Sequence, residues 1–208
     1  TRMTISFKND LLLAITTTAR PGDQEQQKAQ TLAEQTGYPY LPRQNRSLAK
    51  QAAQSHLDGL LVVERKTLAL WLAGEVFRYH PNMAKLRLLA LLSGKNDSLT
   101  SAMELTPGES VLDCTCGLGA DAILAAHMVG ENGRVCALEA SAPLALLVGE
   151  GMASYTLAHP EELTRAMRRI EVRQIDFAHA LRQAEESTWD VVYFDPMFNE
   201  TIDAASGL

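Results

Sequence analysis

The sequence predicts an α/β fold: a mostly parallel sheet in the carboxy-terminal part, preceded by a small amino-terminal α/β unit. Three observations carry this prediction. From residue 110 onward, short apolar and β-branched runs alternate with Ala- and Leu-rich stretches across short loops, the pattern of βαβ crossovers. A glycine pair, Gly117 and Gly119, sits where the first of those strands gives way to a helix. The chain of 208 residues is 46% hydrophobic and 21% charged, the composition of a protein with a sizeable core rather than of a disordered tail or coiled coil.

Taken in order, residues 11–17 are apolar and β-branched and form a strand, which Pro21-Gly22 ends. Residues 23–35, rich in Gln, Ala, Glu and Lys, form a helix stopped by Gly37. Tyr38-Pro-Tyr-Leu-Pro-Arg43 is extended, because a residue before proline is pushed out of the α region. Ser47 caps a helix to about residue 56. Residues 59–64 and 67–72 read as strands, which completes a small unit over residues 1–75. The second unit, 76–208, opens with apolar residues at helical spacing over 83–92, with basic residues between them. After the Pro107-Gly108 turn come a strand at 110–114, a helix at 121–129 and a turn at 130–133. A strand at 134–138 leads to a helix at 143–155 opened by Ser141, and a further helix covers 161–168. A strand at 170–175, a helix at 177–184 and a strand at 190–194 complete the pattern.

The net charge is −6, but it is unevenly spread. Residues 38–95 hold nine Lys/Arg against three acids, a net of +6, whereas residues 96–208 hold six Arg against eighteen acids, a net of −12. The basic block either solvates helix faces or meets an anionic partner. No apolar run approaches the length that spans a bilayer, and no leader pattern opens the chain. Three cysteines, Cys114, Cys116 and Cys136, have neither disulfide-framework nor zinc spacing, so no metal and a reducing cytoplasm are expected.

The chemistry concentrates in three motifs. The first is Val111-Leu-Asp-Cys-Thr-Cys-Gly-Leu-Gly-Ala-Asp121, a strand running through Gly117-x-Gly119 into a helix. Glycines there let the backbone turn sharply and approach a ligand, and the helix start offers free amides. The second is Glu139, which ends the next strand 22 residues beyond Gly117, where a carboxylate can accept both hydroxyls of a ribose. Together these fit either a nicotinamide or flavin fold or a methyl-donor fold. Asp113 and Asp121 flank the loop and would repel a pyrophosphate. They suit a ligand with an amino group and a sulfonium, S-adenosylmethionine. Asp176 is placed to touch an adenine amine, with Phe177 against the ring. The third motif is Asp195-Pro-Met-Phe198 at the end of a strand. Its carboxylate and the Pro196 carbonyl can accept N–H bonds from a planar amine while Phe198 stacks on the base.

This combination resembles the class I S-adenosylmethionine-dependent methyltransferases. Residues 113–121, Leu138-Glu139, Gly151-Met-Ala-Ser-Tyr155 and residues 191–198 resemble more closely the small-subunit ribosomal RNA guanine-N2 methyltransferase J family and its uncharacterised relatives. The resemblance implies a Rossmann-like fold. It implies a methyl donor held against Asp113, Thr115, Gly117, Gly119, Ala120-Asp121, Glu139-Ala140, Asp176-Phe177 and Asp195, with Asp195, Pro196 and Phe198 acting on the acceptor. The implied reaction is methylation of an exocyclic guanine amine in ribosomal RNA, with the basic 38–95 block holding the RNA backbone. The alternatives are a protein that binds S-adenosylmethionine without turnover and a nicotinamide-dependent oxidoreductase. The RNA enzyme has basic residues where this chain has Ala120 and Ala140, and small hydroxyl residues at Asp176-Phe177. The block Phe77-Arg-Tyr-His-Pro-Asn-Met-Ala84 resembles that of relatives in the group, without a role that the residues assign. Class I sheets continue past the strand at 190–194, so the expectation is that the carboxy-terminal strands are missing from these residues. A second copy of the chain would be one way to cover the resulting edge.

Overall fold

The computed structural model describes residues 11–195 of the chain. Their elements form two four-stranded sheets. The first has the order β1-β2-β3-β4, with β1 (Leu13–Thr17), β2 (Gly59–Val63), β3 (Leu68–Leu72) and β4 (Glu75–Arg78). β1 and β2 are parallel and the other two pairings antiparallel. Between β1 and β2 the chain forms α1 (Asp23–Thr36) and α2 (Leu48–Gln54). Gly37, at φ 77°, closes α1, and the Ser47 hydroxyl accepts from the Lys50 N–H to cap α2, so the sequence placed both signals where they act. β1 and β2 are buried along their whole length, which is why their sequences, LAITT and GLLVV, are apolar or β-branched throughout.

The chain then crosses to the second sheet through α3 (Asn82–Leu92) and α4 (Ser98–Met103). This sheet is entirely parallel, with strand order β7-β6-β5-β8. Its strands are β5 (Ser110–Asp113), β6 (Arg134–Glu139), β7 (Ile170–Gln174) and β8 (Val191–Tyr193). The connecting helices are α5 (Ala120–Val129), α6 (Ala142–Ser154), α7 (Glu161–Met167) and α8 (Phe177–Gln183). The central strands β5 and β6 are nearly all buried, whereas the outer strands β7 and β8 are half exposed. This is the α/β, Rossmann-like arrangement that the alternation predicts.

Two elements lie outside the predicted ones. β4 is a four-residue edge strand whose two central apolar residues are flanked by charges, so it lacks the apolar alternation that marks a strand. α4 is only six residues long, three of them Ser or Thr, too short for a periodic pattern, and its Asp97 cap accepts from the Thr100 N–H. β4 also takes up Phe77 and Arg78 of the block at 77–84. The next residue, Tyr79, is buried against Gly151 of α6, where an added Cβ would lie 2.3 Å from its ring. One apolar cluster consequently runs through both sheets: Leu61 and Leu70 of the first, Ile123 and Leu124 of α5, and Val148 and Met152 of α6 all belong to it.

Candidate functional site

β5 has β6 on one side and β8 on the other, so the loops leaving its carboxyl end diverge. In an open parallel sheet this switch point is where ligands bind. The divergence is visible bond by bond. The Cys114 N–H still donates to the Tyr193 carbonyl at 2.9 Å, on the β8 side. Two residues later the Cys116 N–H donates to the Leu138 carbonyl at 2.9 Å, on the β6 side. The chain then turns through Gly117 (φ 51°) and Gly119 (φ 73°) into α5. A Cβ on Gly119 would lie 2.1 Å from the terminal methyl of the buried Met152. Left-handed backbone strain and displacement of packed atoms together give an expected cost of roughly 1–3 kcal/mol for Gly119→Ala. Thermal unfolding is expected to shift down by about 3–10 °C.

The predicted residues converge on this loop. Glu139, at the end of β6, accepts from the Gly117 N–H at 3.1 Å with one oxygen and from the Ser141 N–H at 2.9 Å with the other. Asp113 accepts from the Thr115 N–H at 2.9 Å through Oδ1, while its Oδ2 is buried without a hydrogen-bond partner. Burial, with Asp121, Glu139 and Asp195 nearby, pushes the Asp113 carboxyl up to about 6, against the lowering effect of the Thr115 N–H. A raised carboxyl favours its neutral form in the folded state, so its penalty is absent below pH 4 and grows as pH rises through 6. The penalty is on the order of 2–3 kcal/mol at neutral pH. Asp195 is exposed, and its N–H donates to Thr115 Oγ1 at 2.8 Å. Ala120 and Asp121 start α5, and Ala140 follows Glu139 on the exposed rim.

Asp176 caps α8 by accepting from the His179 N–H at 3.1 Å. The adjacent Ile175 N–H donates to the Glu139 carbonyl at 3.0 Å, which ties this turn to the end of β6. Phe177 packs edge-to-face on Phe194, with ring centroids 5.3 Å apart. Pro196 and Phe198 lie outside the described residues.

Sequence reasoning missed several partners. Asp121 is engaged on both oxygens: Arg87 of α3 lies 2.5 Å from Oδ1, and the Tyr193 hydroxyl donates to Oδ2 at 3.2 Å. The Arg87 guanidinium also grips Asp97 through a fork of 2.7 and 2.8 Å. This hydrogen bonding holds the Asp97 carboxyl below its ordinary range. Arg87 lies 34 residues before Asp121, and no local spacing announces the pair. It is a member of the basic block, as is Arg78, which is paired with Glu64, so part of that block's charge is offset within the chain. Arg46, Lys50, Arg65, Lys66 and Lys95 are exposed. Among the arginines of α7 and β7, Arg165 pairs with Glu161 and Arg173 with Glu171. Arg168 donates to the Met152 and Tyr155 carbonyls, and Arg169 to the Ala126 carbonyl. Two concavities of about 370 Å³ lie elsewhere, one between α1, α6 and β7 and the other beside α8. Neither contains the glycine loop or Glu139. The loop instead reaches the surface at Leu118, which is 52% exposed.

Comparisons with known proteins agree with this architecture. The family described as "Putative SAM-dependent methyltransferase" matches residues 47–206. The uncharacterised protein YpiP of Bacillus subtilis is 37% identical over 195 residues, which cover 93% of this chain and 75% of that protein. Ribosomal RNA small subunit methyltransferase J of Psychrobacter arcticus is 28% identical over 167 residues, covering 77% of this chain and 55% of the relative. Its counterpart in Acinetobacter baumannii is 32% identical over 132 residues, 62% of this chain and 46% of the relative. The chain thus spans about half the length of the ribosomal RNA methyltransferases it matches. Among solved structures, the SAM-dependent methyltransferase NGO1261 from Neisseria gonorrhoeae superposes with a TM-score of 0.53 at 21% identity. That match covers 89% of this chain and 70% of the other, and it speaks to the fold alone. A parallel sheet with its glycine loop at the switch point, and a family match over most of its length, together assign the chain to the S-adenosylmethionine-dependent methyltransferases.

Proposed function

We propose that this protein transfers a methyl group from S-adenosylmethionine to an exocyclic amine of guanine in ribosomal RNA. The observation that carries the reading is the juxtaposition of Asp195 with the glycine loop, tied together at Thr115. The relatives named as small-subunit ribosomal RNA methyltransferases support the choice of RNA.

The residues present fit the cofactor. Asp113 Oδ2 is a buried carboxylate oxygen without a partner, suited to the amino group of a methionine moiety. Space is open beside Gly117, where an added Cβ would meet nothing closer than the Thr115 carbonyl at 3.9 Å. Glu139 has lone pairs to spare for a ribose diol beyond the two amide bonds it accepts. Asp176 and Phe177 would take the adenine, and Ala120, Asp121 and Ala140 would line the rim. Bound there, S-adenosylmethionine supplies an electrophilic methyl group on a sulfonium. Asp195 would accept an N–H bond from the guanine amine, orient the nitrogen lone pair toward that methyl, and take up the proton released as the C–N bond forms and the methyl C–S bond breaks, the sulfonium leaving as a neutral thioether. The Pro196 carbonyl shares the second N–H, and Phe198 stacks on the base. Much of the rate then comes from holding two reactants in line. A paired guanine must be flipped or already unpaired to enter, and the exposed cations of the 38–95 block would hold the RNA backbone.

One outcome concerns pH. An ammonium binds the ionised form of Asp113, whose carboxyl sits near 6. Cofactor affinity is therefore expected to be level above pH 7 and to fall about tenfold by pH 5, and Asp113→Asn to flatten that profile. Calorimetry across this range measures both. The function itself is tested by incubating the full protein and S-adenosylmethionine with small-subunit ribosomal RNA, free and in particles, then digesting the RNA for mass spectrometry. A methylated guanosine is the expected product. Cofactor binding without any methylated nucleoside would overturn the enzymatic reading in favour of a binding protein.

A further inference from the structure

We infer that Thr115 is a positioning residue for the methyl transfer: its hydroxyl oxygen holds the main chain of Asp195 at the switch point. This deepens the proposed function and rests on it for the part that concerns rate. The argument begins with the ladder between β5 and β8. Its regular pairs are Val111 with Val191, Leu112 with Val192 and Asp113 with Tyr193. The last backbone rung runs from the Cys114 N–H to the Tyr193 carbonyl at 2.9 Å. In a regular parallel ladder the next rung would run from the Asp195 N–H back to β5. Two residues along, the Cys116 N–H has left this ladder for the Leu138 carbonyl of β6, so the pairing of β5 with β8 ends here. The Asp195 N–H meets the Thr115 side chain instead, with 2.8 Å between nitrogen and Oγ1. A side chain thus replaces a backbone rung at the residue where the two loops part.

The geometry gives Thr115 two separate attachments. Its own N–H donates to Asp113 Oδ1 at 2.9 Å, on the cofactor side. Its hydroxyl oxygen accepts from Asp195, on the acceptor side, 80 residues away in sequence. Asp195 is otherwise exposed, two residues beyond a strand only three residues long that is outermost among the described residues, where a free main chain would sample several conformations. Methyl transfer needs the acceptor nitrogen in line with the methyl, so a small displacement of the carboxylate lowers rate more than binding. The role belongs to the hydroxyl oxygen, since an acceptor is what the Asp195 N–H requires. Valine has the same shape without it, and serine retains it.

The test compares Thr115→Val with Thr115→Ser in the full protein by three measurements. The first is exchange of the Asp195 amide hydrogen in the cofactor-free protein, which does not depend on any activity. Thr115→Val is expected to speed that exchange at least tenfold, and Thr115→Ser to keep it within about threefold of the parent. The second is S-adenosylmethionine affinity by calorimetry, which separates loss at the donor from loss of rate: a fall in the Thr115→Val rate no larger than its fall in affinity would overturn the positioning role. The third is the single-turnover rate on ribosomal RNA, expected to fall at least tenfold in Thr115→Val and to recover in Thr115→Ser. Unchanged Asp195 exchange in Thr115→Val would overturn the tether. Faster exchange with an unchanged rate would overturn the positioning role. If the parent protein methylates no RNA, the proposed function fails by itself, and the exchange measurement still decides whether Thr115 holds Asp195.

Discussion

Asp195→Ala is expected to lower the rate of methyl transfer by about 10²–10⁴-fold, the usual effect of losing a group that moves or orients a proton, while S-adenosylmethionine affinity changes less than tenfold. Asp195 lies two residues past β8, exposed and with its main chain held on Thr115. Its side chain is therefore free to face an acceptor while its backbone stays in place. Removing the carboxylate takes away the acceptor for the amine N–H and the destination of the proton. It leaves the hydrogen bonds of Glu139, Asp113 and the glycine loop in place, so most of the proposed cofactor contacts remain. Asp195→Asn keeps one acceptor oxygen but loses the charge, and it is expected to fall between alanine and the parent. Single-turnover rates on ribosomal RNA, set against calorimetric affinity, make the comparison. An alanine variant that kept the parent rate would remove Asp195 from the chemistry.

The second large effect is expected at Glu139. Glu139→Ala should weaken S-adenosylmethionine binding by about 10–100-fold, since a hydrogen bond to a charged acceptor contributes about 1.5–3 kcal/mol. The residue does two jobs in this structure. One oxygen accepts from Gly117 in the loop and the other from Ser141 at the start of α6, so it braces the turn in addition to its proposed contact with the ribose. Glu139→Gln separates the two. Its amide oxygen can still accept from one of those N–H groups, but the amide nitrogen only donates and the negative charge is gone. A glutamine variant that folds with the parent's thermal stability and yet binds weakly would place the loss in the ribose contacts. A change of less than threefold in the alanine variant would remove Glu139 from the binding site.

Much of this fold is written locally. The strands and helices from Ser110 onward follow from apolar periodicity and from turn signals a few residues long, and they occur where the sequence puts them. The glycine loop and the acid that ends the next strand were legible for the same reason, since a βα turn and a strand end are local events. Their approach within hydrogen-bond distance, Glu139 to Gly117, follows from two parallel strands being neighbours. The missed elements lacked such signals. β4 is a four-residue edge strand without alternation, and α4 is only six residues long, with a cap, Asp97, that also serves an arginine from another helix.

What the sequence by itself determined is the class of fold, the position of the loop and the list of carboxylates around it. The tertiary structure alone decided how those carboxylates are used. Asp121 reads as a free acid beside the cofactor, but packing of α3 on α5 brings Arg87 onto one oxygen and the end of β8 brings Tyr193 onto the other. Asp113 reads like the others, yet burial leaves one of its oxygens unpartnered and raises its carboxyl to about 6. Thr115 reads as a residue of the cofactor loop, and only the splitting of the chain between β8 and β6 shows that its hydroxyl meets Asp195. The physical reason is the range of the interactions. Periodicity, capping and turn preference act within a few residues, whereas desolvation and ion pairing depend on which distant segments the core brings together.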